Sequence, residues 1–316
     1  MSALQQPQQR QYIAVDWGTS SFRLWLVGEG GAVLGESRSH EGMTTARDIG
    51  FSAVLESHIA RVNAPDGAPV IMCGMVGAKQ GWLDAGYVDL PAKPEDIAAR
   101  AVRVPGHSRD VRVLPGLAQR DANSADVMRG EETQLLGVPG GTAADCLVAM
   151  PGTHSKWVRV AGGEVKSFST FMTGELFSLI SRNSILQHTI REPQGFEPTA
   201  PAFLEALRAA YRQPSLTTNR LFSIRARDLL FGASGSASEA VLSGTMIGLE
   251  FAGALENAGA GGGITLVASG RLKDIYEAAL KALELPFQTV DADDAVRRGL
   301  DYAARNIWAL GGARSI

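Results

Sequence analysis

The stretch Asp16-Trp17-Gly18-Thr19-Ser20-Ser21 separates two β-prone runs, and its pattern returns later in the chain. The first run covers 12–15 and stops at an acid and a glycine, and the next resumes at Phe22. A second strand-like run starts at Cys146 and leads through Pro151-Gly152-Thr153-His154-Ser155 into another β-prone run. The aligned pairs are Gly18 with Gly152, Thr19 with Thr153 and Ser21 with Ser155. This internal repeat predicts a fold built twice around one strand–turn–strand unit.

Both turns have the chemistry of a phosphate site. Successive backbone N–H groups in a Gly-Thr-Ser turn can point into one concavity, and small hydroxyls add donors without blocking it. The acid that ends the first strand, Asp16, suits a divalent cation, because Mg²⁺ prefers a carboxylate together with waters and phosphate oxygens. Such residues are also ordinary hairpin chemistry. The duplication favours the phosphate-binding interpretation.

Length and composition predict an ordinary globular protein. At 316 residues the chain exceeds what one hydrophobic core usually fills, so two domains are expected. The net charge of −3 argues against a nucleic-acid partner. The two cysteines, Cys73 and Cys146, form no disulfide framework, and residues 1–11 lack a signal-peptide layout. No apolar run approaches a membrane span, so we expect no membrane partner and a cytoplasmic location.

The rest of the chain predicts an α/β architecture. Strand and helix patterns alternate from residue 264 to 310, with Ala268-Ser269-Gly270 where a buried strand turns into a helix. Residues 138–142 are a Pro- and Gly-rich linker, which predicts domains of residues 1–137 and 138–316, the last helix packing back on the hinge. Gly130 followed by Glu131 and Glu132 predicts the start of a helix. Acids are common in a first helical turn, so a purely structural role for this pair stays open.

Several common site types are excluded. The chain has no Gly-x-x-x-x-Gly-Lys-[Ser/Thr] motif and no Gly-x-Gly-x-x-Gly after its first strand, which excludes a P-loop and disfavours a dinucleotide fold. No His and Cys spacing fits zinc, and no Gly-x-Ser-x-Gly nucleophile elbow occurs. The two hairpins and the late strand–Gly–helix turn instead indicate a nucleotide held between two domains.

These motifs resemble those of the actin-like ATPase superfamily. Residues 16–21, 151–157 and 268–270 are similar to its phosphate 1, phosphate 2 and adenosine motifs. More narrowly, residues 74–77, 151–157 and 170–176 resemble the 2-dehydro-3-deoxygalactonokinase family over nearly the whole chain. The resemblance implies a two-domain actin-like (ribonuclease H-like) fold with an interdomain cleft. It also implies ATP- and Mg²⁺-dependent phosphorylation of the terminal (6-) hydroxyl of 2-dehydro-3-deoxygalactonate, in galactonate breakdown.

The resemblance also implies roles for particular residues. Glu131 matches the acid that accepts the hydroxyl proton, although Asp121 resembles the catalytic motif of another kinase subgroup and stays an alternative. Asp16 would hold Mg²⁺. The residues expected to bind ATP are Gly18, Thr19, Ser20, Gly152, Thr153, His154, Ser269 and Gly270.

Substrate contacts are less constrained. A sugar-acid carboxylate needs a cation or several hydrogen-bond donors, and the candidates are Lys79, Arg47, Thr44 and Thr45. Trp17 is expected to wall the sugar pocket or to lie in the core. Glu175, in the motif that follows the second hairpin, is expected to contact the substrate. Other sugar kinases and an exopolyphosphatase-like phosphohydrolase stay open as alternatives, and a homodimer is a further expectation.

Overall fold

The computed structural model describes residues 11–140, 145–190, 195–258 and 263–310; Gly141 and Thr142 of the predicted linker therefore lie outside the described residues. Strands and helices alternate along the first 140 residues. They are β1 (Tyr12–Trp17), β2 (Phe22–Val27), β3 (Val33–Ser39), α1 (Met43–Ile49), α2 (Phe51–Arg61), β4 (Val70–Cys73), β5 (Tyr87–Asp89), α3 (Pro94–Ala99), β6 (Val102–Arg103), β7 (Val111–Val113), β8 (Gly116–Gln119), β9 (Asp126–Met128) and α4 (Glu131–Leu136).

In the described residues, the second half opens with three strands, and helices dominate the part that follows. The elements are β10 (Cys146–Met150), β11 (Ser155–Ala161), β12 (Glu164–Phe171), α5 (Thr173–Asn183), α6 (Pro201–Arg212), α7 (Thr217–Phe231), α8 (Gly235–Ala258), β13 (Ile264–Val267), α9 (Gly270–Ala282), β14 (Phe287–Val290) and α10 (Ala292–Trp308). The helix predicted to start near Glu131 and the alternation of strands and helices predicted from residue 264 to 310 are confirmed.

Residue contacts divide the chain into two compact units. The first contains the described residues of Met1–Ala144, Ala161–Ser167 and Ala292–Ile316, and the second those of Asp145–Val160 and Phe168–Asp291. Helix α10 thus belongs to the first unit, where it packs against α4, α3, β1 and β4. The boundary after residue 137 and the cleft expected from the sequence stay predictions.

The first unit is built on a six-stranded sheet in the order β3-β2-β1-β4-β7-β6. β1 pairs with β2 in antiparallel register and with β4 in parallel register. Alternate residues of β1 enter different cores, because successive side chains of a strand point to opposite faces. Ile13 and Val15 join the core that includes α2, whereas Tyr12 and Ala14 join the core that includes α10.

The second unit repeats this plan. A five-stranded sheet with the order β12-β11-β10-β13-β14 contains β10, β13 and β14 of this unit and most of β11. β10 is antiparallel to β11 and parallel to β13, as β1 is to β2 and β4. Helices α6, α8 and α9 supply apolar side chains to the core beside this sheet. The predicted duplication is confirmed, since both hairpins occupy the same position in the same strand order.

From the sequence, residues 41–45 are expected to form a loop at the end of a strand, and the structure differs from that expectation around Thr44 and Thr45. This segment is helical, because α1 starts at Met43 directly after the loop residue Gly42. The N–H groups of Met43 and Thr44 donate to the carbonyls of Gly18 and Thr19 at 2.9 and 3.1 Å. These tertiary bonds satisfy N–H groups that a helix start leaves free. A seven-residue helix that local sequence does not signal therefore forms.

Within the described ranges, no helix combines the length and apolar character required to cross a membrane.

Candidate active site

The first hairpin is held at its turn by backbone contacts. The N–H of Gly18 donates to the carbonyl of Ser21 at 2.9 Å, which closes the turn and leaves Thr19 and Ser20 exposed. Gly42 lies against this turn so closely that a Cβ there would come within 2.4 Å of the Ser20 backbone. Only glycine therefore lets α1 start against the hairpin.

The second hairpin is held in the same way. The N–H of Glu175, in the first turn of α5, donates to the carbonyl of Thr153 at 3.0 Å. A Cβ on Gly174 would come within 2.5 Å of the Gly152 carbonyl oxygen. Each hairpin thus has a glycine and a helix start packed against its turn. The alignment of the two turns in the sequence does not predict this second similarity.

Asp16 is oriented from two sides. It is paired across the β1–β2 ladder with Arg23, whose Nε donates to Asp16 Oδ2 at 3.1 Å. The Cys73 thiol, on β4, donates to Asp16 Oδ1 at 3.8 Å. Arg23 also forms an ion pair with Asp293 at the start of α10. The Asp16 side chain stays 16% exposed, so its carboxylate is positioned without being closed off.

Three elements of the first unit converge near Asp16. Gly74 follows β4 with φ +92°, and a Cβ there would lie 2.7 Å from the Trp17 carbonyl oxygen. Gly130 precedes α4 with φ +107°, and a Cβ there would lie 3.5 Å from the Gly74 Cα. The end of β1, the end of β4 and the start of α4 therefore meet at two glycines with backbones that side chains rarely adopt.

The start of α4 carries a pair of acids in different environments. Glu131 Oε2 accepts from the Arg129 N–H at 3.1 Å, and this side chain is partly exposed. Glu132 is fully buried, and its Oε2 accepts from the Gly130 N–H at 2.6 Å. Its other oxygen accepts from the Thr133 hydroxyl at 3.1 Å. Burial and then the charge of Glu131 raise the pKa of Glu132 to about 8.

The sequence does not identify Glu132 as a separate candidate site residue. Local spacing shows two adjacent acids at a helix start and does not tell which of them is buried. Its perturbed pKa beside a candidate base is typical of functional sites.

Asp121 lies in a different setting. It is exposed between β8 and β9, strands of the small three-stranded sheet β5-β8-β9. Its Oδ1 accepts from the Asn123 N–H at 2.8 Å, and its carbonyl accepts from the Ser124 N–H at 3.1 Å. These bonds are those of an Asx turn, which gives Asp121 a local structural role.

The predicted substrate residues differ in their exposure to solvent. Trp17 is fully buried, its indole packs edge-on against Phe22, and its Nε1 donates to the Glu41 carbonyl at 3.0 Å. It is a core residue of the first unit, because tertiary packing surrounds it on all sides. The exposed candidates are Thr44, Thr45 and Arg47 on α1 and Lys79 in the Gly-rich loop after β4.

Behind the second hairpin lies a buried polar network. Glu250 on α8 accepts from Trp157 Nε1 and from the Tyr276 hydroxyl, both at 2.8 Å. The hydroxyl groups of Tyr276 and Ser155 are 3.2 Å apart. Burial raises the pKa of Glu250. At the turn itself, exposed His154 and Glu175 pair through His154 Nε2 and Glu175 Oε2.

The predicted adenosine motif lies beside a cavity of the second unit. Gly270 opens α9 with φ +57°, and a Cβ there would meet no atom within 4 Å. Ser269 donates its hydroxyl proton to Asp291 Oδ2 at 2.8 Å. The next residue, Arg271, lines a cavity of about 450 Å³ and lies over the Phe196 ring at 5.0 Å. The cavity is lined by Gly195, Phe196, Glu197, Ala200, Pro201, Ala202, Ser236, Ala237, Ala240 and Arg271.

The comparisons with known proteins all indicate the same protein family. The sequence model of the family described as 2-keto-3-deoxy-galactonokinase matches residues 16–303. A Rhizobium meliloti (strain 1021) protein named as a 2-dehydro-3-deoxygalactonokinase is 55% identical over 95% of this chain and 98% of its own length. The 2-dehydro-3-deoxygalactonokinase of Escherichia coli (strain K12) is 33% identical over 94% of this chain and 98% of its own length.

A solved structure extends the agreement to the fold. It is described as a 2-dehydro-3-deoxygalactonokinase protein from Sinorhizobium meliloti, is 55% identical to this chain and superposes with a TM-score of 0.91. The match covers 94% of this chain and 99% of that chain. Together with the duplicated strand order, it confirms the predicted α/β, actin-like fold. The chain belongs to the 2-keto-3-deoxy-galactonokinase family and is a carbohydrate kinase.

Proposed function

We propose that this kinase transfers the γ-phosphoryl group of ATP to the terminal (6-) hydroxyl of 2-dehydro-3-deoxygalactonate. Membership in a kinase family implies ATP as the phosphoryl donor. One observation carries the assignment of roles: the backbone segments at Gly74 and Gly130 lie against each other and against the end of β1. This contact brings the acid pair of α4 near the Asp16 carboxylate and the exposed turn of the first hairpin.

Each hairpin is proposed to bind phosphate oxygens. In the first unit the binding groups are the backbone N–H groups and hydroxyls of Thr19 and Ser20, with Gly18 at the turn. In the second they belong to Gly152, Thr153 and His154. The exposed turns and the glycines that hold them support this assignment, since a fixed backbone presents its N–H groups without reorganisation.

Asp16 is the proposed Mg²⁺ residue. Among the described residues no group of three or more His, Cys, Asp and Glu side chains could hold a metal ion. Mg²⁺ needs no such group, because it commonly binds one or two carboxylates together with waters and substrate phosphates. The partly exposed Asp16 carboxylate, oriented by Arg23 and Cys73, fits that requirement. Bound Mg²⁺ would neutralise charge on the phosphate oxygens.

Glu131 is the proposed general base. Its side chain is partly exposed, whereas the Glu132 side chain is fully buried and both oxygens of its carboxyl accept hydrogen bonds, from Gly130 and Thr133. By taking the proton as the hydroxyl attacks, Glu131 would contribute roughly 10²–10⁴-fold to the rate. Asp121 is not proposed, because its carboxylate serves a turn between β8 and β9.

The remaining ligand groups are assigned by exposure and chemistry. Lys79, Arg47, Thr44 and Thr45 are exposed donors of the first unit and are proposed to bind the substrate carboxylate and hydroxyls. In the second unit, the cavity beside Ser269 and Gly270 is proposed to hold the nucleoside. An adenine ring there would face the Phe196 ring and the Arg271 guanidinium, both suited to stacking. Glu175 is proposed to orient His154.

Measurement of ADP release with and without 2-dehydro-3-deoxygalactonate tests the function. We expect turnover to require the sugar acid and to fall for stereoisomers and for neutral keto sugars. A panel of keto-deoxy acids identifies the preferred isomer. Phosphate release from ATP or polyphosphate at a comparable rate without the sugar acid would instead support the phosphohydrolase alternative.

Replacement of Asp16 by asparagine tests the metal assignment. We expect the Mg²⁺ concentration for half-maximal activity to rise roughly tenfold, because the amide carries no charge for the cation. The fold should persist, because Arg23 keeps its ion pair with Asp293. An unchanged Mg²⁺ requirement in a Mg²⁺ titration of both proteins would contradict the role of Asp16.

A further inference from the structure

Glu250 on α8 carries a carboxyl group that is buried in the second unit. Removal of a carboxyl group from water costs free energy that an apolar side chain of similar volume does not incur. A position that served only to fill the core would therefore favour an apolar residue. The hydrogen bonds that the carboxyl accepts indicate what else it does.

Two of these hydrogen bonds link α8 to β11 and α9. Glu250 Oε1 accepts from Trp157 Nε1 on β11, and Oε2 accepts from the Tyr276 hydroxyl on α9, both at 2.8 Å. The Tyr276 hydroxyl also lies 3.2 Å from Ser155 Oγ, at the start of β11. The rings of Trp157 and Tyr276 pack against Phe251, with ring centres 5.0 and 5.8 Å apart, which keeps both donors in place.

A further hydrogen bond connects Glu250 with the helix that packs on the second hairpin. Thr173, the first residue of α5, is buried, and its hydroxyl bonds to the Glu250 carboxyl. The next two residues contact the turn itself. A Cβ on Gly174 would lie 2.9 Å from Thr153 Cα, and the Glu175 N–H donates to the Thr153 carbonyl at 3.0 Å. Thr173 therefore links α8 to the part of α5 that holds the turn.

The turn of the second hairpin is thus fixed from two sides. Ser155 and Trp157 are on the strand that leaves the turn, and Thr173 begins the helix that lies against it. The turn residues Thr153 and His154 are exposed, so no apolar packing of their own side chains holds them. A turn that is already fixed presents its N–H groups to an anion without a further ordering cost.

We propose that Glu250 is a positioning residue for the second hairpin: its hydrogen bonds to β11, α9 and α5 hold the turn of residues 152–154 in the arrangement that binds phosphate oxygens. The inference rests on the proposed binding of phosphate by this turn. Loss of the carboxyl should weaken the part of the nucleotide affinity that comes from the phosphates and leave the part that comes from the nucleoside.

Calorimetric titration of ADP and of adenosine into Glu250→Met tests this role. Methionine is of similar length and is only a weak hydrogen-bond acceptor, so Trp157 and Tyr276 lose their acceptor. We expect the Kd of ADP to rise about tenfold, as for other residues that orient a binding group from behind. The Kd of adenosine should change little, because Ile275 and Leu280 hold α9 in the same core by apolar packing.

Two milder variants separate the hydrogen bonds from the packing. Glu250→Gln keeps an acceptor for Trp157 and a polar group that faces Tyr276, so it should return the affinity for ADP most of the way. Tyr276→Phe removes only the hydroxyl that lies between Glu250 and Ser155, and it should weaken ADP binding less than Glu250→Met does. Tyr211→Phe on α6 is the matched control, because Tyr211 packs against the same core and its hydroxyl is not part of this network.

Hydrogen exchange reports on the turn without a ligand. The Glu175 N–H is protected by its hydrogen bond to the Thr153 carbonyl. In Glu250→Met, exchange in the peptide that contains Glu175, followed by mass spectrometry, should therefore be several-fold faster than in the wild type. Exchange in α6 of the same unit should stay as in the wild type, which distinguishes a local change from a general loss of stability.

The outcomes separate this inference from the proposed function. If Glu250→Met matches Tyr211→Phe in both ADP affinity and exchange, Glu250 does not position the turn. Equal losses of affinity for ADP and adenosine would also overturn the inference. Faster exchange at Glu175 with unchanged ADP affinity would support the positioning of the turn and contradict its proposed binding of phosphate. If Glu250→Met does not fold, the same comparisons on Tyr276→Phe decide.

Discussion

Replacement of Glu131 by glutamine is expected to lower kcat at least about a hundredfold, because the amide cannot take the proton of the acceptor hydroxyl. Affinity for ATP should change little, since the residues proposed to bind the nucleotide are on the two hairpins and in the cavity beside Gly270. Steady-state kinetics together with calorimetric titration of ADP separates the two effects. A loss that appears mainly in KM would point to substrate binding by Glu131.

Asp121→Asn is the matched control for this experiment. Asp121 is exposed, and the amide can accept the same hydrogen bond from the Asn123 N–H. We therefore expect kcat near that of the wild type. If Asp121→Asn loses activity and Glu131→Gln retains it, the base has been assigned to the wrong acid.

Replacement of Gly299 by alanine is expected to destabilise the protein by about 3 kcal/mol or more. Helices α4 and α10 cross at backbone contact. A Cβ on Gly299 would lie 1.8 Å from the Thr133 carbonyl oxygen, and one on Gly137 would lie 1.8 Å from that of Ala295. The helices must separate to admit a methyl group. Because α4 carries Glu131 and Glu132, activity should fall together with the midpoint of thermal or urea unfolding.

Gly263→Ala is the control for the added methyl group. Gly263 is exposed, and a Cβ there would meet no atom within 4 Å. The free energy of unfolding of the Gly263→Ala protein should differ from that of the wild type by no more than about half a kcal/mol. Equal stability of the Gly299→Ala and wild-type proteins would show that α4 and α10 are less tightly packed than the structure has them.

Much of the fold follows from short-range pattern. The hairpins at Gly18 and Gly152 could be predicted, because β-prone runs interrupted by turn residues need only neighbouring residues to be recognised. The helix start at Glu131 and the turn at Gly270 carry similar local signals. The short helix α1 could not be predicted, because it depends on hydrogen bonds to Gly18 and Thr19 in another part of the chain.

In the candidate site, too, the features that depend on neighbouring residues could be predicted, and those that depend on distant segments could not. By itself the sequence determined the two hairpins, the acid at the end of β1, the acid pair at the start of α4 and the family, because each is a local arrangement of residue types. Only the tertiary structure decided that Glu132 is buried while Glu131 is partly exposed, that Trp17 is a core residue, and that α10 packs on α4. The physical reason is that burial, and the pKa shifts that follow from it, depend on which distant segments cover a residue, and neighbouring residues do not specify that.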